Sequence, residues 1–330
     1  MKSSAPIITL DNAAHLTRVQ QLGSPRVPFA GGQRLGFAPA GNHLLATEES
    51  GVRLRWWKSL GVAEKAVSHG EVPLAEFKPG FLRDGSIVGI GTPVATAATP
   101  YRYRILALAV ESGALLHESA LPCPVTCFGV RADGTALVLL DEGAAHLWNL
   151  ETWQPMRNLR GISVSAQLKD CAFSPDGRYI AVVGTPHDGT SSGVWLWDLE
   201  DGTGPDHLPL SMPFAWSVAF HPSKPLLVVG GNSNEVEVVD VREFRITRTL
   251  KDFHCIPSNL DFSPAGDLLV AGGDGRGFAV HRFDTGERVF RHGDDNDLQT
   301  SDAVFSPDGS FVAWGQGDGT VGLWGVSPAP

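Results

Sequence analysis

One turn motif recurs along this chain at a nearly constant interval, and that periodicity limits the folds open to it more than any other feature. Residues 173–177 and 305–309 both read Phe-Ser-Pro-Asp-Gly, and 262–266 differ only in an alanine at the fourth place. Weaker copies lie at 37–41, 220–224 and 128–134. The phenylalanines at 128, 173, 220, 262 and 305 are 45, 47, 42 and 43 residues apart, and the 91 residues from Phe37 to Phe128 make two periods. Phe-Leu-Arg-Asp-Gly at 81–85 fills that gap, so the count is seven. A unit of this length cannot bury its apolar surface alone and must stack on its neighbours.

The interior of each unit reads as β-structure. Pro175 and Asp176 preset a tight turn and Gly177 takes the positive φ that closes it, so the motif joins two strands as a hairpin. After the turn comes an apolar run, then a Gly/Asp/Asn turn, then a run ending near tryptophan, as in 179–184 and 194–199. The runs 226–229 and 268–271 are apolar without alternation, which for short β-branched segments means burial on both faces. The nearest thing to a helix, 62–67, is too short to stand alone. Four short strands per unit, buried on both faces, are what radial stacking of small sheets produces. The expected fold is all-β, a seven-bladed β-propeller of four-stranded antiparallel blades.

These units resemble WD repeats, in which a turn of this type is paired with a strand ending in tryptophan-aspartate. Trp197-Asp198 is the literal dipeptide, and Trp148-Asn149 and Trp324-Gly325 are near matches. The resemblance runs from about residue 33 to 326, with units beginning near 33, 77, 124, 169, 216, 258 and 301 in a single domain spanning 1–330. The Gly-His pair that usually precedes a WD blade is missing, so the family's hydrogen-bond tetrad is incomplete in most units. Asp318 and Trp324 keep its spacing, with Asp318 placed to orient the following turn. Richness in Ala, Gly and Pro makes the chain similar to bacterial WD-repeat proteins of unknown role. The last unit stops at Trp324 after three strands, so 14–22 is expected to close the ring as its outer strand. Burial of Leu16, Val19 and Leu22 there contributes roughly 1.5–3 kcal/mol each before entropy is subtracted, and pairing removes two exposed sheet edges.

Composition narrows the function. A formal charge of −10 disfavours a phosphate backbone, and the small basic clusters at 101–104 and 242–248 read as solvated strand faces, so no nucleic-acid partner is expected. The first ten residues lack the apolar run of a secretory signal and no segment has 18 consecutive apolar residues, which points to a cytoplasmic protein without a membrane contact. The cysteines at 123, 127, 171 and 255 are too few and irregular for a disulfide framework. Cys123 and Cys127, with His117 and His146 nearby in sequence, have weak zinc spacing, and Pro122 and Pro124 stiffen the backbone; buried thiols are the expected state.

Neither a nucleophile elbow, nor a His-Glu-x-x-His helix, nor a phosphate-binding loop is present. The glycines of 272–277 sit between strands, the acidic run 294–297 lacks the alternation of a calcium loop, and His187 beside Asp188 lies in a turn insertion. No catalytic residue, metal or cofactor is therefore expected. The resemblance implies a protein- or peptide-binding scaffold that uses the channel-mouth face. The residues three and four positions before each repeat phenylalanine fall there: Gln33, Arg34, Lys169, Asp170, Trp216, Ser217, Ser258, Asn259, Ser301 and Asp302. Trp216 is the expected aromatic anchor. The alternatives are a lactonase-like propeller hydrolase with a channel metal, for which Asp170, Asn259 and Asp302 are the available ligands in units that need not converge, and a sensor subunit of a larger assembly.

Overall fold

The computed structural model of the chain describes residues 5–25, 33–48, 54–58, 67–68, 77–91, 103–140, 143–162, 166–188, 190–253, 256–273, 277–293 and 301–327. Seven four-stranded antiparallel sheets follow one another as blades of a propeller. In blade 4 the strands are Ala166–Phe173, Tyr179–Pro186, Gly193–Asp198 and Thr203–Pro209, from the innermost outward. The innermost strands of the other blades are Gln33–Phe37, Gly80–Phe81, Val125–Arg131, Ala215–Phe220, Pro257–Phe262 and Ala303–Phe305 in blades 1, 2, 3, 5, 6 and 7.

The repeat turns form as the sequence dictates. Gly41, Gly177, Gly266 and Gly309 have φ of 69, 74, 77 and 73°. The motif serine then accepts the next strand's amide on its hydroxyl, at 2.8 Å from Tyr179 to Ser174 and 2.9 Å from Phe311 to Ser306. One copy runs in a different phase from its phenylalanine. In blade 3 the amide of Gly134 bonds the Arg131 carbonyl as Gly177 bonds Ser174, so Val130 and not Phe128 occupies the repeat position. Two extra residues separate Phe128 from its glycine, and the glycine's positive φ, 93°, sets the frame.

Among the described residues seven apolar clusters form, one at each blade junction. Leu227 and Val229 pack against blade 4 while Val228 packs against blade 6, so the unbroken apolar run divides between two neighbours. Trp57 and Trp56 likewise serve the 7/1 and 1/2 junctions.

The ring is closed from the N-terminal side. Thr17–Leu22 pairs antiparallel with Val321–Gly325, from Thr17 opposite Gly325 to Leu22 opposite Val321. The strand begins at 17, because Ala13–His15 forms a single 3-10 turn before it. Leu16 and Leu22 are buried, and Val19, at a register shift, is half-buried against the 7/1 cluster.

Candidate functional site

The innermost strands line the channel. At the mouth, where those strands start, the pairing register slips by one residue at Thr126, Lys169, Trp216 and Ser258 in blades 3 to 6. A β-bulge re-aims the extra side chain away from the ladder. It falls four positions before the repeat phenylalanine in blades 4, 5 and 6, and before Val130 in blade 3. Lys169 is thereby exposed and Trp216 half-buried, whereas Ser258 is buried.

Beside Trp216 lies Phe214, 45% exposed, one of the few large apolar side chains turned to solvent. Its backbone is held at both ends, with Phe214 N donating to Asn232 Oδ1 at 3.1 Å and Asn232 N to the Phe214 carbonyl at 3.1 Å. Glu237, buried beneath the preceding loop, accepts the Ser211 amide at 2.9 Å, and Ser192 donates to the Met212 carbonyl at 2.6 Å. Burial raises the Glu237 carboxyl above its ordinary range. The exposed ring therefore rides on a fixed loop.

The position three before the repeat phenylalanine behaves differently. Its side chains point to the next blade and hold it. Asp170 accepts the Val218 amide at 3.1 Å, Asn259 the Ala303 amide at 2.8 Å, and Asp302 the Leu35 amide at 3.0 Å. Ser217 donates to the Pro257 carbonyl at 3.2 Å. Junctions 4/5, 5/6, 6/7 and 7/1 thus each carry a polar staple at the same register. Gln33 joins blades 1 and 7 through its amide, 3.1 Å from the Thr320 carbonyl. Gln33, Ser258 and Ser301 are buried, at 1%, 5% and 2% exposure, and so shape the floor of the mouth rather than its surface.

The staples converge electrostatically. Lys78 of blade 2 reaches to 3.8 Å from the buried Asp302 carboxylate, and Arg34 of blade 1 to 3.4 Å from its other oxygen. Burial raises the Asp170 carboxyl, and the cations Lys78 and Arg34 oppose that rise while Asp302 adds to it. Asp261, which accepts the Phe305 amide at 2.8 Å, is pushed up to about 6 by burial, again against Lys78. Asp170 and Asp302 therefore do sense one another, although their blades, the fourth and the seventh, are not neighbours in the ring. Asn259 differs, being spent on Ala303. Among the described residues no group of three or more His, Cys, Asp or Glu side chains is placed to hold a metal ion.

The other pairings considered from the sequence disperse. His117 stacks on Trp153 at 4.1 Å, His146 bonds Asn158 at 2.7 Å, and Cys127 meets Cys171 instead of Cys123. Asp188 turns to the amide and hydroxyl of Thr190, which hold its carboxyl below the ordinary range. Asp318 holds the Thr320 amide at 2.9 Å and so orients the last hairpin. Cys255, residues 294–297 and residues 274–276 of the glycine-rich stretch lie outside the described residues.

Four residues near the mouth were not placed there from the sequence, although Cys127 was expected to be a buried thiol. Lys78 stands three before Phe81 and follows from the rule already in use; Cys127 follows once the third copy is counted back from Gly134. Asp261 sits one residue before Phe262, where other units carry a small or apolar residue, and Phe214 precedes the strand; neither had a signal in the repeat.

No protein-family model matches the chain. It is 26% identical over 189 residues to WD repeat-containing protein 1 of Xenopus tropicalis, covering 56% of this chain and 30% of that protein. It is 24% identical over 200 residues to the Target of rapamycin complex subunit wat1 of Schizosaccharomyces pombe, covering 57% of this chain and 59% of that one. The chain thus spans less than two thirds of either relative. These similarities and the seven-bladed ring support a place among WD-repeat proteins. No helix among the described residues is long and apolar enough to cross a membrane.

Proposed function

We propose that this chain is a non-catalytic, cytoplasmic scaffold of bacterial type that holds a protein or peptide on the channel-mouth face of its propeller, with no cofactor. The observation that carries this reading is the bulge at Trp216, which turns an aromatic ring out of the ladder two residues after the exposed Phe214 and at the same register as the exposed Lys169 of blade 4. Rigid aromatic side chains on a fixed backbone lose little entropy on contact and make the usual hot spots of interfaces. Arg34, Lys78, Asp170 and Asp302 supply the polar floor, with Gln33, Ser258 and Asn259 fixing its shape. The wat1 relative is by name a subunit of a complex, which favours assembly with other proteins for this chain too.

The hydrolase reading fares worse on the geometry. Both Asp170 oxygens accept backbone amides, from Cys171 at 2.9 Å and Val218 at 3.1 Å, and Asp302 is engaged by Leu35, Arg34 and Lys78. Affinity capture from cell extract, run in parallel with wild type and with Trp216→Ala and Phe214→Ala, tests the proposal. Each variant is expected to lose about 2 kcal/mol of binding, roughly thirtyfold. A partner kept at full strength by both folded variants would move the interface elsewhere.

A further inference from the structure

Among the described residues no hydrogen-bonded staple of the kind found at the next four junctions joins blades 3 and 4, and at its register lies a pair of thiols. Cys127 stands three before Val130 on Val125–Arg131, the register at which Asp170, Ser217, Asn259 and Asp302 staple their neighbours. Its partner is Cys171 on the innermost strand of blade 4, which packs into the same apolar cluster between the two blades. Gly129, two residues on and facing the same way, makes room for this contact, since a Cβ there would lie 2.5 Å from the Cys171 sulfur. Cys127 is buried in the 3/4 cluster, while Cys171 is half-buried and close enough to Lys78 to feel its charge.

We infer that Cys127 and Cys171 form an oxidation site, at which a peroxide converts the thiol contact into a disulfide that braces the 3/4 junction. Cys171, on the less buried of the two residues, gives up its proton and attacks one peroxide oxygen, breaking the O–O bond to become a sulfenic acid while the other oxygen takes up the proton and leaves as water. The Cys127 sulfur then displaces hydroxide from that sulfenic sulfur, and hydroxide takes the Cys127 proton to leave as a second water. Two thiols and one hydrogen peroxide thus give one disulfide and two waters. The thiolate is scarce at neutral pH, because the Cys127 thiol beside it and burial push the Cys171 thiol well above its ordinary range. Oxidation is therefore slow in neutral buffer and faster in alkaline buffer. A link between strands 44 residues apart in sequence also removes freedom from the unfolded chain.

The test treats the intact folded chain with hydrogen peroxide and maps its peptides without reduction. The expected result is a Cys127–Cys171 linked peptide and a melting temperature raised on the order of 5 °C, both reversed by dithiothreitol. Cys123→Ser is expected to keep the link and Cys171→Ser to lose it. Linkage of Cys127 to Cys123, unlinked sulfinic acid at Cys171, or a link that leaves the melting temperature unmoved would each overturn the inference. Because the linked peptide is read on the wild type, a Cys171→Ser chain that fails to fold does not spare the proposal.

Discussion

Asp261 and His281 carry opposite pH dependences. The Asp261 carboxyl rises from 3.8 to about 6 on burial, so the folded state binds its proton more tightly than the unfolded chain. Its contribution is full below 3.8 and is lost as pH climbs through 6, leaving a cost of about 3 kcal/mol at neutral pH. His281, buried and stacked on Phe253 at 4.0 Å, falls from 6.5 to about 4 on burial. Its contribution is full above 6.5 and is lost as pH falls toward 4, by a similar amount. Between about 4 and 6 the two pH dependences nearly cancel, because one cost grows as the other shrinks. Asp261→Asn keeps an acceptor for the Phe305 amide and removes one of them. The variant is expected to be more stable than wild type at neutral pH by about 2–3 kcal/mol, and to lose stability more steeply on acidification. Denaturant titrations at several pH values measure both; parallel curves for the two proteins would show that Asp261 is not strained by burial.

The turns were the most legible elements, because each needs one residue at positive φ and glycine supplies it, as Gly177 and Gly309 do. The closing strand was legible for a different reason: three strands in the last unit left an edge to cover, and Thr17–Leu22 covers it. Its start at 17 was not, since Asn12 bonds the Thr9 amide and turns the chain before the strand can begin. The frame of the third copy was hidden too, because an apolar Val130 replaces the phenylalanine while Phe128 stands close by. Bulges leave little mark in sequence, as lysine, tryptophan, serine and threonine all occupy the same extra position. Each can do so because that side chain leaves the ladder and needs no partner across it. For the closing strand, removal of residues 1–22 is expected to lower the melting temperature sharply, and Leu22→Ala alone to cost about 2–5 kcal/mol. An unaltered melting curve for the truncated chain would deny the strand its role.

Across the whole ring, carboxylates act first as joints between blades. Asp302 holds the Leu35 amide at the junction where the last blade meets the first, and carries Arg34 and Lys78 on its oxygens. Asp302→Ala leaves the Leu35 amide without its acceptor, while the partly exposed Arg34 and Lys78 can turn to water, and is expected to cost about 1–3 kcal/mol, whereas Asp302→Asn keeps the amide bond and is expected to cost less. Chemical denaturation of the two variants separates the staple from the charge; equal losses would assign the effect to charge alone. The residues that the repeat register placed at the mouth also serve as staples, a structural task that their polar character alone did not reveal. Trp216 and Lys169, at the bulge, are not drawn into the staples, and Lys169 stays exposed while Trp216 is half-buried.

The closing strand also orders events in time. Thr17–Leu22 leaves the ribosome well before its partner strand, Val321–Gly325, which all seven repeats separate from it in sequence. Until then Leu16 and Leu22 have no cluster to enter and one blade stands a strand short. Such long-range pairing delays completion of the fold. A nascent chain interrupted anywhere before the last repeat is left with an open ring, an unclaimed apolar strand, and a need for shelter that the finished protein no longer has.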